Sequence, residues 1–460
     1  MSGKATTEKS KTEKVESLPE GWKRVRFGEV IEEVNNRNLL DRKIPVLTSS
    51  RSGIYLQEEY FNRIVASKNL LNYKIIEKGQ FTYRSMSDDE IFIFNRLENV
   101  PIGLVSPAYY VFKAKKTYSG DFLKYFINNS IEIRNQIYKE MKGTTRTALK
   151  FNQLVNFVVS LPPLPEQRKI AEVLETVDNA IEKTDAIIEK YRRIKKGLMA
   201  DLLTGKIRLI PYGHSKAEGE ESPLLTSPEA KKFVIGEKTI VAVPNQKWKN
   251  TPIGKIPEDW EVVRLREVCD IRGGKRLPKG EELVDEGYPY IRLSDIKDTK
   301  VQIDKVKFIS EKVRKKISQY IVSKNDVIIS IAGTIGLVAL VPDNLDNANL
   351  TENAVKLTNL IKINRLYLAY SLLSFSLQKQ ISEMVGIVAQ PKLAIFRLAT
   401  LLLPLPPLPE QQLIADVLSQ VDEVIEKEIQ YKEKLERIKK GLMEDLLTGK
   451  VRVNNLIKEG

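Results

Sequence analysis

The sequence predicts an α+β chain built as a pseudo-two-fold tandem repeat: two similar globular domains separated by two long antiparallel coiled-coil helices. Three observations predict it. A run that opens with LPPLPEQ at Leu161 and ends at Leu209 returns without a gap from Leu405 to Val453, with roughly two thirds of its residues identical. A weaker echo lies upstream of each copy, where LPEGWKRVRFGEV from Leu18 matches IPEDWEVVRLREV from Ile256 at Pro19/Pro257, Glu20/Glu258, Trp22/Trp260, Val25/Val263, Arg26/Arg264 and Glu29/Glu267. The stretches before each copy mix short apolar runs with turn formers, whereas each copy itself repeats apolar residues at a helical period.

The elements follow in order. Residues 1–17, MSGKATTEKSKTEKVES, are polar and charged without an apolar centre, and are expected to be a disordered arm. Residues 18–160 form the first globular domain. Its runs IPVLTSS from Ile44, FTYRS from Phe81, EIFIFN from Glu90 and IGLVSPAYYVF from Ile102 read as strands, and Gly120 to Met141 as one helix. Residues 161–209 carry the first long helix. Residues 210–253 are charged, with Gly, Ser and Pro, and read as a linker. The second domain, 254–404, repeats the pattern with YPYIRLSDI from Tyr288, two buried strands around a Gly-rich turn between Val327 and Pro342, and a helix from Arg365 to Met384. Residues 405–455 carry the second long helix.

Both long helices have legible ends. Pro165 and Pro409 suit a first helical turn, where a missing N–H costs nothing, and Glu166 and Glu410 complement the helix dipole. Gly205 and Gly449 supply the left-handed residue that stops a helix. About 38 residues lie between these limits, a length of about 57 Å. Along them Ile170, Leu174, Val177, Ile181, Ile188, Tyr191, Leu198 and Leu202 in the first copy, and Ile414, Leu418, Val421, Ile425, Leu435, Leu442 and Leu446 in the second, form one narrow apolar seam per helix. Each seam needs a partner, and the other copy is the nearest. Gly197 and Gly441 interrupt the helices, either to let backbones approach closely or as tolerated defects costing about 1 kcal/mol.

Composition bounds the chemistry. A formal charge of +14 over 460 residues, spread over both domains, points to a polyanion such as nucleic acid. The single cysteine, Cys269, excludes an internal disulfide and fits a cytoplasmic chain, and the single histidine, His214, excludes a multi-histidine metal site. No cofactor is expected, because no phosphate-binding glycine loop, dinucleotide fingerprint or zinc-protease motif occurs. No apolar run is long enough to span a bilayer, so no membrane is expected. No catalytic constellation is found.

Two copies of LPPLPEQ, each followed by a long helix ending in LLTGK and preceded by a basic domain opening with P-E-x-W, resemble the specificity subunit of a type I restriction-modification enzyme. YIRLSDI from Tyr290, NDVIIS from Asn325 and GTIG from Gly333 are similar to that family's target recognition domains, while IGLVSPAYYVF from Ile102 and GTTRTALK from Gly143 fit a different subclass. The resemblance spans nearly the whole chain apart from the arm and the linker. It implies that each domain reads one half of a split, asymmetric target in double-stranded DNA and that the paired helices hold the domains apart. It further implies that two methyltransferase (modification) subunits dock on the assembly, that restriction/translocase subunits join them, and that the chain itself is not catalytic. A stand-alone DNA-binding or anti-restriction protein, a self-contained enzyme with a diverged active site and a coiled-coil scaffold remain open as alternatives.

Candidate base and phosphate readers are polar and basic residues in the loops around the strands. They are Ser49, Arg51, Arg84, Ser85, Thr145 and Arg146 in the first domain, and Lys275, Arg276, Arg292, Ser294, Gln390 and Lys392 in the second. Arginine grips guanine with two bonds and glutamine does likewise for adenine, whereas serine and lysine more often fix phosphates. Thr144 to Ala148 and Val388 to Lys392 occupy matching places in the duplication. Tyr109, Tyr110 and Phe112 could stack on bases, but alternation along a strand favours core packing.

Overall fold

Each half is tied shut by a pair of strands that join its two ends. Lys23–Arg26 runs antiparallel to Val158–Leu161, with Lys23 opposite Leu161, and Glu261–Arg264 runs antiparallel to Leu402–Leu405, with Glu261 opposite Leu405. The strand after P-E-x-W therefore pairs with the strand that runs up to the proline motif in both copies. The computed structural model describes residues 18–457 apart from 41–42, 62–66, 68, 88, 90, 142–146, 212–230, 236–237, 298 and 386–391. The expected arm and most of the expected linker thus lie outside the described residues.

The chain divides into two compact units, and the division falls inside the long helices. One unit runs to Asp185 and resumes at Tyr431, and the other is Ala186–Gln430. Each unit holds one globular domain, the near part of the helix that follows it and the far part of the other helix.

In the first unit, a four-stranded antiparallel sheet runs in the order Ile31–Glu33, Tyr109–Ala114, Phe81–Arg84, Asn95–Arg96. Its inner face is aromatic: Phe81 and Phe112 are fully buried and stack with centroids 5.2 Å apart, and Tyr110 stacks on buried Tyr83 at 5.4 Å. Two helices, Gly120–Asn129 and Ile131–Met141, stand where one was expected. The break is chemical. Ser130 adopts an extended backbone and its hydroxyl accepts the N–H of Ile133 at 3.3 Å, which caps a new helix without disturbing the apolar period.

The second unit has a six-stranded sheet in the order Asp270–Gly273, Ala354–Thr358, Val327–Ser330, Val338–Leu340, Thr299–Val301, Ile296–Lys297. Val327–Ser330 and Val338–Leu340 are the two expected buried strands, and Gly333 and Gly336 between them take positive φ of 69° and 85°. The expected helix is again two, Arg365–Leu373 and Phe375–Val385, and Ser374 caps the second through the N–H of Leu377 at 3.3 Å. The segment read as a linker also carries structure. Ile207–Pro211, Lys238–Pro244 and Lys231–Ile235 form a three-stranded antiparallel sheet in which Ile240, Val241 and Val243 are buried, and a hairpin of Trp248–Thr251 with Gly254–Pro257 follows.

The long helices are Leu164–Leu202 and Leu408–Leu447. They pair antiparallel within each unit. Lys439 meets Asp178 at 2.6 Å and Lys432 meets Asp185 at 2.7 Å in the first unit, and Lys195 meets Asp422 at 2.5 Å in the second. Position climbs on one helix as it falls on the other.

The seam is wider than the sequence suggests. Ile170, Leu174, Leu446 and partly buried Leu442 join the first core together with Ala171 and Leu447, while Ile414, Leu418, Leu202 and partly buried Leu198 join the second with Leu413, Ala415 and Val417. Near its start a helix packs against the domain before it, and near its far end against the other domain, in each case as well as against the other helix, so two faces are apolar. Val177, Ile181, Val421 and Ile425 lie nearer the middle and are half-buried. Gly197 and Gly441 allow no close approach: both are exposed, and a methyl group at either would meet nothing within 4 Å.

Candidate nucleic-acid interface

The repeated motif residues form an anchoring set that holds each domain on the helices. Glu166, 2% exposed at its side chain, accepts a two-bond fork from Arg452 at 2.7 and 2.8 Å. Glu410 accepts the same fork from Arg208 at 2.8 and 2.7 Å, and also the Leu209 N–H at 3.1 Å and the Trp260 indole N–H at 3.0 Å. The carboxylates seen in sequence as dipole partners therefore tie the start of one long helix to the chain just beyond the end of the other. Gly449 and Gly205, with φ of 73° and 72°, seal the same joints. A Cβ would lie 2.6 Å from Pro19 at Gly449 and 2.3 Å from Pro257 at Gly205, so P-E-x-W is the seat for the end of a long helix.

The neighbouring glutamine fixes the domain. Gln167 accepts the N–H of Ser119 at 2.9 Å and donates to the carbonyl of Pro162, and Gln411 accepts the N–H of Asn364 at 2.7 Å and donates to that of Pro406. Ser119 and Asn364 cap helices Gly120–Asn129 and Arg365–Leu373. Farther along, Tyr125 donates to Asp178 and Tyr370 to Asp422, both at 2.8 Å, and these aspartates take the lysines of the opposing helix. Burial and the adjacent carboxylate push both phenols far above their usual range, so each stays a donor. A tyrosine of the domain, an aspartate of its own helix and a lysine of the other helix thus form one network, twice.

The expected readers that are described are held by other contacts in each domain. In the first, Ser49, Arg51 and Arg84 line one cleft with Ser50, Met86, Ser87, Asp89 and Ile91. Arg51 sits at the tip of the hairpin Leu47–Ser50/Gly53–Leu56 and pairs with Asp89, and Ser49 accepts from Asn95 at 2.7 Å. Ser85 is tied to the carbonyl of Ala108 at 2.8 Å. Thr145 and Arg146 lie outside the described residues, and Thr147–Ala148, which follow them, pair with Met86–Ser87 at this cleft.

In the second domain Lys275, Arg276 and Lys392 gather around residues 350–354. The N–H of Lys275 donates to Leu350 at 2.8 Å, that of Gly274 to Ala354 at 3.1 Å and that of Ala332 to Asn353 at 3.2 Å, while Lys392 bridges to Ala332. A side chain at Gly274 would strike the Thr351 carbonyl at 2.0 Å, so only glycine lets the two loops touch. Lys275 lies 5.7 Å from the Tyr320 ring, and Arg276 pairs with Glu352 at 2.6 Å. Arg292 and Ser294 belong to a separate cleft with Asp285 and Asp304, where both bond the fully buried Asp295 and hold a 3-10 turn. Gln390 lies outside the described residues. The carboxylates Asp89 and Glu352 were not among the expected readers.

Among the described residues no three His, Cys, Asp or Glu side chains are placed to hold a metal, and no helix is long and apolar enough to cross a membrane.

The type I restriction modification DNA specificity domain matches this chain twice, at residues 19–190 and 257–437. Over 453 residues, covering 95% of both chains, it is 28% identical to the type I restriction enzyme MjaVIII specificity subunit of Methanocaldococcus jannaschii. Over 57% of its length it is 26% identical to the EcoBI specificity subunit of Escherichia coli, covering 51% of that protein. The fold matches a type I restriction-modification S subunit from M. genitalium, with TM-score 0.54 and 14% identity over 95% of this chain and 98% of that one. It also matches a chain from a structure of type I R-M system assembly and conformational transition, with TM-score 0.51 and 18% identity over 95% of this chain and all of the other.

Proposed function

The chain belongs to the type I restriction modification DNA specificity family, and from that premise we propose that it gives a methylation and restriction complex its DNA address. Each globular domain reads one half of a split, asymmetric duplex sequence. Two methyltransferase subunits dock on the chain, and restriction/translocase subunits join them. The chain holds the target without catalysing a reaction, needs no cofactor, and works in the cytoplasm.

One observation carries this reading: the anchors are the same in both halves and the exposed loops are not. Glu166/Glu410, Gln167/Gln411, Asp178/Asp422 and Lys439/Lys195 recur with an equivalent arginine, helix-cap N–H or ion-pair partner, while the loops that hold Arg51 and Arg276 share neither sequence nor strand pairing. A fixed frame with unlike reading loops is what two different half-sites demand. Basic loops neutralise phosphates, and the released counterions make affinity fall with salt.

The test measures duplex binding and methylation by the full chain assembled with methyltransferase subunits. The log–log slope of affinity against salt is expected to be several units negative. Replacing residues 20–160 with another family member's domain is expected to change one half-site and spare the other. A slope near zero, a change in both half-sites, or methylation by the purified chain alone would overturn the proposal.

A further inference from the structure

Two ion pairs stand out by where they are rather than by what they add to stability. Arg51 bonds Asp89, 38 positions away, and Arg276 bonds Glu352, 76 positions away. Of the arginines in the described ion pairs these two are the most exposed, at 69% and 79%. Exposed pairs of this kind contribute little to folding. In each, a hydroxyl next to the carboxylate orients it: Ser87 donates to Asp89 at 2.9 Å and Thr351 to Glu352 at 3.0 Å. The Ser87 bond and the Arg51 charge hold the Asp89 carboxyl below its usual range. Glu352 is also lowered, because Arg276 and Thr351 outweigh the opposing effect of its partial burial. Both carboxylates are charged acceptors at neutral pH.

The loops are unrelated. In the first domain the arginine is on a hairpin tip and the carboxylate on the loop after Met86–Ser87. In the second, the arginine follows the strand Asp270–Gly273 and the carboxylate follows Asn349–Leu350. The same hydroxyl, carboxylate and arginine arrangement has been built twice from different pieces, one in each domain.

Arg51 uses one terminal nitrogen on its carboxylate, and Arg276 uses Nε. A guanidinium has five donors in a planar fork, so each retains enough for a second two-bond contact. Arg208 differs, because its fork is spent on Glu410 and Asp259. The major-groove edge of a guanine–cytosine pair presents two acceptors on guanine beside one amino donor on cytosine. An arginine with a carboxylate at its side presents the complement. Against an adenine–thymine pair, the carboxylate faces the thymine O4 acceptor and is repelled.

Resting on the DNA-reading function proposed above, we infer that Arg51 with Asp89 and Arg276 with Glu352 each read one guanine–cytosine pair, one in each half-site. The carboxylate does two things. It cancels the arginine's charge, which weakens binding to phosphates at random sites, and it supplies the acceptor that distinguishes the cytosine.

The test uses the full chain assembled with methyltransferase subunits and a set of duplexes in which each base pair of each half-site is changed in turn. Wild type is compared with R51A, D89N, R276A and E352Q. R51A and D89N are expected to lose discrimination at one and the same guanine–cytosine pair, by roughly 5- to 150-fold, and to keep every preference in the other half-site. R276A and E352Q are expected to do the same in the opposite half-site. The spared half-site shows in each variant that the protein is folded and assembled. Unchanged preferences, or arginine and carboxylate variants that relax different positions, would overturn the inference while leaving the DNA-reading function standing. A wild-type complex without any sequence preference would overturn both.

Discussion

Removing Glu410 should damage the protein far more than removing Glu166, although the two occupy the same place in the repeat. Glu410 accepts four bonds, two from Arg208, one from the Leu209 N–H and one from the Trp260 indole. Glu166 accepts two, both from Arg452, and the buried Trp22 indole N–H has no hydrogen-bond partner among the described residues. In E410A the Trp260 and Leu209 donors are left buried without acceptors, and Arg208, 13% exposed, keeps only Asp259. Breaking a buried pair of this kind costs about 3–5 kcal/mol. In E166A no indole loses a partner, and Arg452, 24% exposed, can take up water. The cost there is about 1–3 kcal/mol.

Global unfolding is a poor assay for this difference, because a chain of two units need not unfold in one step. Cys269 offers a local one. It is 4% exposed and lies in the same apolar cluster as Trp260, so labelling it requires that core to open. E410A is expected to speed its labelling by roughly 150- to 5,000-fold under conditions where closing outpaces labelling. E166A shares no partner with that core and is expected to change the rate by about threefold or less. Its own effect should appear as faster amide exchange in peptides around Trp22. Equal labelling rates in the two variants would refute the reasoning, as would an E410A rate within about fivefold of wild type.

Further outcomes follow from single positions. Gly197→Ala and Gly441→Ala should each stabilise the long helices by up to about 1 kcal/mol, because both glycines are exposed, helical and without neighbours for a methyl group. Slower amide exchange along 190–200 and 434–446 is the readout, and faster exchange would contradict it. The Cys269 thiol, which burial pushes up to about 12, should resist thiol reagents at neutral pH in the native wild type and react fully in denaturant. Rapid native labelling would show that this core is not closed as described.

What could be read in the sequence, and what could not, divides along a physical line. The helices, their glycine stops and the strands from Val327 to Leu340 follow from local period and turn chemistry, which a single segment carries within itself. The split at Ser130 and Ser374 was hidden because the apolar period continues across a serine whose side chain supplies the cap. The sheet in the expected linker was hidden because its burial depends on pairing Ile207–Pro211 with a strand beyond the charged stretch. Glu166, Gln167 and Asp178 fall with their copies inside the repeated run, but a repeat says that two positions share a role without naming the partner. Their partners, Arg452, Ser119 and Lys439, lie up to 286 positions away. The reading loops pose the opposite problem. Arg51 and Arg276 could be chosen by residue type, but Asp89 and Glu352 have neither repeat nor period to mark them, and only folding sets each beside its arginine. The frame is therefore legible because it was duplicated. The reading surfaces are illegible for the reason that makes them useful: two unlike half-sites require that these loops differ, and difference leaves no pattern in one sequence.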